Sequence, residues 1–231
     1  MGRSQEHDGK SPRRPYVILN GAVTLDGKIA TRSGDSRLSS AYDLRQLHRL
    51  RSLVDAVMIG IGTELNDNPL LTVRFVKTKG QGPFRIVVDS LARTPPNSRI
   101  LSVKDAADVI VAVSKRASGS QISRLERSGA EVICCGTRKV DLKILLSKLY
   151  RMGIRRILLE GGGTLNWSML TGNLVDEIRV TVTPMIVGGQ KAKTLVEGVG
   201  VGDMDRAMRL SLTKALRKGN ELILSYKVKK W

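Results

Sequence analysis

Short runs of aliphatic and β-branched residues recur along the chain, separated by segments in which apolar residues return every three or four positions. The runs predict strands over Tyr16–Leu25, Ala56–Ile61, Arg85–Val88, Val109–Val113, Val132–Cys135, Arg156–Glu160 and Glu177–Val187. The longer period predicts helices over Ala41–Val54, Gln121–Ser128, Leu142–Met152 and Leu165–Asn173. Strands alternating with helices imply an α/β fold with a mainly parallel sheet covered on both faces. Near the end, Leu210–Leu216 and Glu221–Val228 flank Lys218-Gly219-Asn220, a hairpin signal that makes the sheet mixed. The polar, Pro-containing stretch before Tyr16 predicts a flexible tail over residues 1–15 and one domain over 16–231.

The run Ile157-Leu158-Leu159-Glu160-Gly161-Gly162-Gly163-Thr164-Leu165 reads as a buried strand, a carboxylate, a turn without side chains, and a helix. Three glycines permit close approach to the backbone, and the free N–H groups of the following helix favour phosphate. Gly60-Ile61-Gly62 also follows a strand, but Leu65 stands where a dinucleotide fingerprint needs its third glycine. Asn66-Asp67-Asn68-Pro69 cannot continue a helix, so a long polar loop is expected there, with Thr63 and Asp67 placed to hold cofactor hydroxyls. In the first helix, Leu44, Leu47 and Val54 mark a buried stripe, and Arg51, two turns after Leu44, rises from it. Such an arginine has two readings: a structural one, by snorkelling or by pairing with an internal carboxylate, and a bidentate phosphate ligand. Arg74 adds a second phosphate-capable fork. Asp89 and Ser90, after another strand, are turn residues or line the same crevice, and Asp26-Gly27-Lys28 ends the first strand.

Composition narrows the function. The formal net charge of +18 permits attraction to polyanions or phosphorylated metabolites. Two Trp, four Tyr and two Phe, not interleaved with the basic residues, argue against a stacking platform for single-stranded nucleic acid, and no specific nucleic acid is expected. Cys134 and Cys135 are adjacent, with Cα atoms about 3.8 Å apart, too close for a disulfide, and suit a reduced core strand in the cytoplasm. His7 and His48 offer no zinc spacing, and no apolar run is long enough to span a membrane.

In this order, several pieces closely resemble the archaeal and fungal reductase of riboflavin biosynthesis, and the C-terminal reductase domain of the bacterial bifunctional deaminase/reductase. They are Thr24-Leu25-Asp26-Gly27-Lys28-Ile29-Ala30, Asp35-Ser36-Arg37-Leu38-Ser39, Gly60-Ile61-Gly62-Thr63 with Asp67-Asn68-Pro69, Leu71-Thr72-Val73-Arg74, Val87-Val88-Asp89-Ser90, and Glu160-Gly161-Gly162-Gly163-Thr164-Leu165. The match runs from about Pro15 to the C-terminus. The resemblance implies a dihydrofolate-reductase-like fold and reduction of 2,5-diamino-6-ribosylamino-4(3H)-pyrimidinone 5′-phosphate by NADPH, with NADH accepted by some members. The ribosylamine opens to a Schiff base and hydride reaches C1′.

Carried over position by position, Ala22, Thr63, Asp67, Ser90, Leu91, Gly161, Gly162, Gly163 and Thr164 resemble the cofactor contacts, with Asp89 as their neighbour. Arg51, Leu70, Arg74 and Glu160 resemble the substrate contacts. Lys28 and Asp67 are the candidates for moving a proton, and no metal is required. A homodimer is expected from the family. Asp35 occupies a polar substrate-side position in the family pattern; Arg37 stands near a position where the bacterial domain has tryptophan. No zinc-deaminase motif precedes Tyr16, so a monofunctional chain is expected. A pterin reductase of the same fold and a basic RNA-binding module are the competing readings.

Overall fold

The computed structural model describes residues 13–77, 80–103 and 107–229. In chain order these form β1 (Tyr16–Thr24), α1 (Ala41–Arg51), β2 (Ala56–Gly60), α2 (Ile61–Asp67), β3 (Phe84–Val88), α3 (Arg99–Ser102), β4 (Val109–Val113), α4 (Gly119–Arg127), β5 (Ala130–Cys134), α5 (Leu142–Arg151), β6 (Arg156–Leu159), α6 (Gly163–Thr171), β7 (Glu177–Thr183), β8 (Leu210–Lys218) and β9 (Glu221–Val228). All nine strands join one sheet in the order β5-β4-β3-β2-β6-β1-β7-β9-β8. Every pair from β5 to β7 is parallel, and β9 runs antiparallel to both β7 and β8. The expected mixed, mostly parallel α/β sheet with an antiparallel C-terminal hairpin is therefore present.

The continuous apolar runs arise because both faces of the parallel part are covered. Val17, Leu19, Met58, Ile86, Ile110 and Leu159 point to one face, where Leu145, Leu146 and Leu149 of α5 and Met169 and Leu170 of α6 pack. Their chain neighbours Ile18, Val57, Ile59, Val87, Val111 and Leu158 point to the other, against Leu125 of α4, Ile100 of α3 and Leu47 and Leu50 of α1. Each fully buried leucine contributes about 1.5–3 kcal/mol, so these two layers hold the strand ends in fixed register.

Several expectations are corrected. The segment after β2 is a helix, α2, before it is a loop: Asn68, in the left-handed region at φ 42, caps it, and Pro69 follows. β7 stops at Thr183 because Pro184 has no N–H for the ladder. α1 ends at Arg51, and its buried residues are Asp43, His48 and Arg51, whereas Leu44 is exposed. The polar face has a cause: Asp43 accepts from Thr181 Oγ1 at 2.6 Å and lies 3.8 Å from Arg179, both on β7. Cys135 is buried but Cys134 is exposed, and both are free thiols. Of the expected tail, residues 1–12 lie outside the described residues, while Arg14 is fixed by a bidentate bond to Asp176 at 2.7 and 2.8 Å.

Candidate active site

The carboxyl ends of parallel strands are where an open α/β sheet offers a crevice. A cavity of about 610 Å³ lies there, bordered by Gly60–Thr63 at the start of α2 and Gly162–Thr164 at the start of α6. The two turns are tied together, since Gly60 N–H donates to the Gly161 carbonyl at 2.8 Å. Neither helix has a side-chain cap at its N-terminus. The first-turn amides of the nine-residue α6 therefore lack a protein side-chain partner and suit an anion.

The three glycines of this turn have different physical causes. Gly161 has φ 103, a left-handed conformation that disfavours a side chain, and its peptide bond to Gly162 is cis. A Cβ on Gly162 would lie 3.2 Å from Thr63 Oγ1, narrowing the gap between the two turns. A Cβ on Gly163 would meet Glu197 Cγ at 2.7 Å and the Thr194 carbonyl at 2.8 Å, so this glycine is required by protein packing. The covering segment is held by Glu197 N–H to the Gly163 carbonyl at 3.0 Å and by Asn166 Nδ2 to the Leu195 carbonyl at 2.7 Å.

Of the expected cofactor residues, Thr63, Asp67, Ser90, Leu91, Gly162, Gly163 and Thr164 line the cavity. Ala22, Asp89 and Gly161 are not among its lining residues. Ala22 is held within β1 opposite Thr181, and Gly161 is buried beneath Gly60. Asp89 is fully buried and accepts from Thr94 N–H at 2.7 Å and Thr94 Oγ1 at 2.9 Å, which makes it the turn residue of the two alternatives. Ser90 has a structural task as well, because its Oγ accepts from Val140 N–H at 3.0 Å.

The two candidates for proton movement are separated. Lys28 does not line the cavity, and its Nζ donates to the Ala192 carbonyl at 3.1 Å. Asp67 is on the cavity wall, and the walls that strip water from its carboxyl raise its pKa above the usual range, with Lys193 opposing.

None of Arg51, Leu70, Arg74 and Glu160 is among the residues that line this cavity. Arg51 donates from Nε and Nη2 to the two Glu160 oxygens at 2.7 and 2.6 Å, and from Nη1 to the Thr72 carbonyl at 3.0 Å. The internal carboxylate of the first reading is thus Glu160. Burial lowers the Arg51 pKa, but Glu160 outweighs it and the net direction is upward. Arg74 is exposed and has no carboxylate partner among the described residues, and burial together with Arg51 and Arg99 lowers its pKa. Leu70 is half-buried beside this group in sequence. Asp35 is engaged by Arg37 at 2.6 and 2.9 Å, which holds its carboxyl at about 2.

The sequence reading missed a cationic rim. Arg93, Arg116, Arg138 and Lys139 line the cavity from the loops after β3, β4 and β5. Buried Ser114 latches these loops, donating from Oγ to the Ser90 carbonyl at 2.8 Å and accepting from Arg116 N–H at 3.3 Å. The available signal was positional, since each cation follows the carboxyl end of a parallel strand. Also missed was His48, which is buried beside Arg74. Among the described residues, no group of three or more His, Cys, Asp or Glu is placed to hold a metal, and no helix is long and apolar enough to cross a membrane.

The 2,5-diamino-6-ribosylamino-4(3H)-pyrimidinone 5′-phosphate reductase of Methanothermobacter thermautotrophicus is 54% identical over 217 residues, covering 94% of this chain and 99% of the relative. The riboflavin biosynthesis protein RibD of Actinobacillus pleuropneumoniae is 38% identical over 220 residues, covering 94% of this chain and 57% of that protein. Among solved structures, Acinetobacter baumannii RibD superposes with a TM-score of 0.80 at 26% identity, covering 94% of this chain and 58% of that one. The chain thus spans a little over half the length of these RibD proteins. A model of the family described as the RibD C-terminal domain matches residues 15–224, and the chain belongs to that family.

Proposed function

We propose that the chain is an NADPH-dependent reductase that converts 2,5-diamino-6-ribosylamino-4(3H)-pyrimidinone 5′-phosphate to the 6-ribitylamino product in riboflavin biosynthesis. The observation that carries the reading is the placement of Gly162–Thr164 in the cavity wall directly after Glu160, whose carboxylate is braced by Arg51. One turn thereby joins a dinucleotide-sized cavity to a carboxylate and arginine cluster suited to a phosphorylated pyrimidine.

The residues present fit a nicotinamide dinucleotide. The α6 amides, Thr63 and Thr164 suit the pyrophosphate, and a cradle that a Cβ at Gly162 would narrow is left open. Arg116, Arg138 and Lys139, which have no carboxylate partners among the described residues, suit a 2′-phosphate and so favour NADPH over NADH. When bound, the nicotinamide supplies the hydride for C1′ of the opened ribose.

The chain's own residues bind, orient and move a proton. Arg74, with Arg99 near it, neutralises the substrate phosphate. Three of the five Arg51 N–H groups are used within the protein, leaving two for the substrate. Glu160 keeps lone pairs for the amino groups of the pyrimidine. Asp67, with its raised pKa, hands a proton to the ribose ring oxygen as the C1′–O bond breaks and the exocyclic nitrogen forms the Schiff base. Lys28, engaged by Ala192, is the weaker candidate.

Free thiols at Cys134 and Cys135 accord with a reducing cytoplasm. Exposed Leu210 and Leu212 on the edge strand β8 share one face of the hairpin with Leu222 on β9 and supply an apolar surface for a homodimer. The test is NADPH oxidation followed by absorbance with the pyrimidine phosphate and, separately, with dihydrofolate. Oxidation with the former alone is expected; oxidation with dihydrofolate alone would overturn the assignment in favour of a pterin reductase.

A further inference from the structure

His48 points to a role that neither the motif comparison nor the proposed chemistry assigns. It lies in the last turn of α1 and is 1% exposed. Its Nδ1 accepts from the backbone N–H of Arg74 at 3.1 Å. Its ring meets that of Phe75 in a T-shaped contact, with centroids 4.6 Å apart and planes at 82°. The Arg74 guanidinium in turn lies over the Phe75 ring at 5.7 Å. His48 therefore fixes Arg74 twice, through its backbone and through the ring on which its side chain rests.

The segment that carries Arg74 needs such support. Leu71–Arg74 belongs to no helix or strand. Leu71 is held at φ 53 with its side chain buried, a left-handed conformation uncommon for leucine that persists only where surrounding contacts enforce it. The contacts come from α1: Arg51 donates to the Thr72 carbonyl and His48 accepts from the Arg74 N–H. Backbone groups that a sheet would otherwise satisfy are thus satisfied by two side chains one turn apart on one helix.

We propose that His48 is a positioning residue that holds Arg74 in place for the phosphate of the substrate. The inference rests on the reading of Arg74 as the phosphate ligand.

The bond requires an unprotonated Nδ1, and the surroundings provide it. Burial first, then the charges of Arg51 and Arg74, lower the imidazole pKa to about 4, against the opposing influence of Glu160 and the Thr72 carbonyl. At neutral pH the ring is neutral and Nδ1 is an acceptor.

The test compares H48F, which keeps a ring against Phe75 and removes the acceptor, with H48N, whose Oδ1 replaces Nδ1, and with R74A and H48F/R74A. All are assayed for KM toward the pyrimidine phosphate, KM toward NADPH, kcat and Tm. H48F is expected to raise the substrate KM about tenfold, the scale of a buried donor left unpaired, with the NADPH KM unchanged. H48N is expected to restore it, and H48F/R74A to be no worse than R74A. Should H48F not fold, H48L takes its place in the same series. A folded H48F with the native substrate KM, an H48N as defective as H48F, or an additive double variant overturns the proposal. If R74A itself leaves the substrate KM unchanged, the reading of Arg74 fails instead, and with it the premise.

Discussion

Replacing Arg51 with alanine removes both charge-assisted bonds to Glu160 and the donor to the Thr72 carbonyl, yet leaves the carboxylate in place. The two side chains are 7% and 11% exposed, so water cannot readily take over the lost bonds. Breaking a buried pair by removing one partner costs about 3–5 kcal/mol, whereas an exposed pair is worth about 0–1 kcal/mol. In a chain of this size each kcal/mol shifts Tm by about 2–4 °C, so R51A is expected to melt roughly 6–20 °C lower. R51A/E160A removes the stranded carboxylate together with its partner and is expected to recover part of that loss, giving a coupling energy between the two positions. Urea unfolding and thermal melts of wild type, R51A, E160A and the double variant measure the cycle. A destabilisation of R51A below about 1 kcal/mol would refute the buried-pair reasoning. In the same proteins the substrate KM is expected to rise while the NADPH KM stays near its native value, because Glu160 loses its orientation and the cavity loses nothing.

Gly162→Val places branched carbon where a Cβ already lies 3.2 Å from Thr63 Oγ1; it is expected to raise the NADPH KM at least about tenfold and to cost about 1–3 kcal/mol of stability. A folded variant with normal NADPH affinity would contradict the cradle. R116A/K139A removes two cations from the rim and is expected to raise the NADPH KM about tenfold while leaving the NADH KM unchanged, and equal effects on both cofactors would argue against a 2′-phosphate there. Asp141 Oδ1 caps α5 by accepting from Lys143 N–H at 2.9 Å and Ile144 N–H at 3.0 Å, so Asp141→Ala is expected to lose about 0.5–2 kcal/mol in urea unfolding with unchanged kinetics.

The parallel sheet was legible in the sequence because local signals and tertiary burial agree. Val109–Val113 and Ile157–Leu159 are apolar at every position, as strands covered on both faces must be. The C-terminal hairpin was legible from its turn residues. α2 was hidden because Asn66-Asp67-Asn68-Pro69 announces a helix end without revealing the helix before it, whose first residues include a glycine. The stripe on α1 was legible in part: Leu47 packs on the core and Val54 and Arg51 are buried, but the helix also faces Thr181 and Glu160, so Asp43 turns inward and Leu44 turns out.

At the site, the sequence by itself determined the order of parts: a carboxylate, then glycines, then a helix start, with threonines and arginines at matching strand ends. Only the tertiary structure decided how those parts divide their work. It paired Arg51 with Glu160 across 109 residues of chain, gave Gly163 to the packing of Glu197, and turned Asp89 inward to Thr94. It also gathered Arg93, Arg116, Arg138 and Lys139 from three loops onto one rim and set His48 under Arg74. The physical reason is that periodicity and turn chemistry act over a few residues, whereas the partner of a charge or an N–H group is whatever the packed sheet and helices bring within about 3 Å of it.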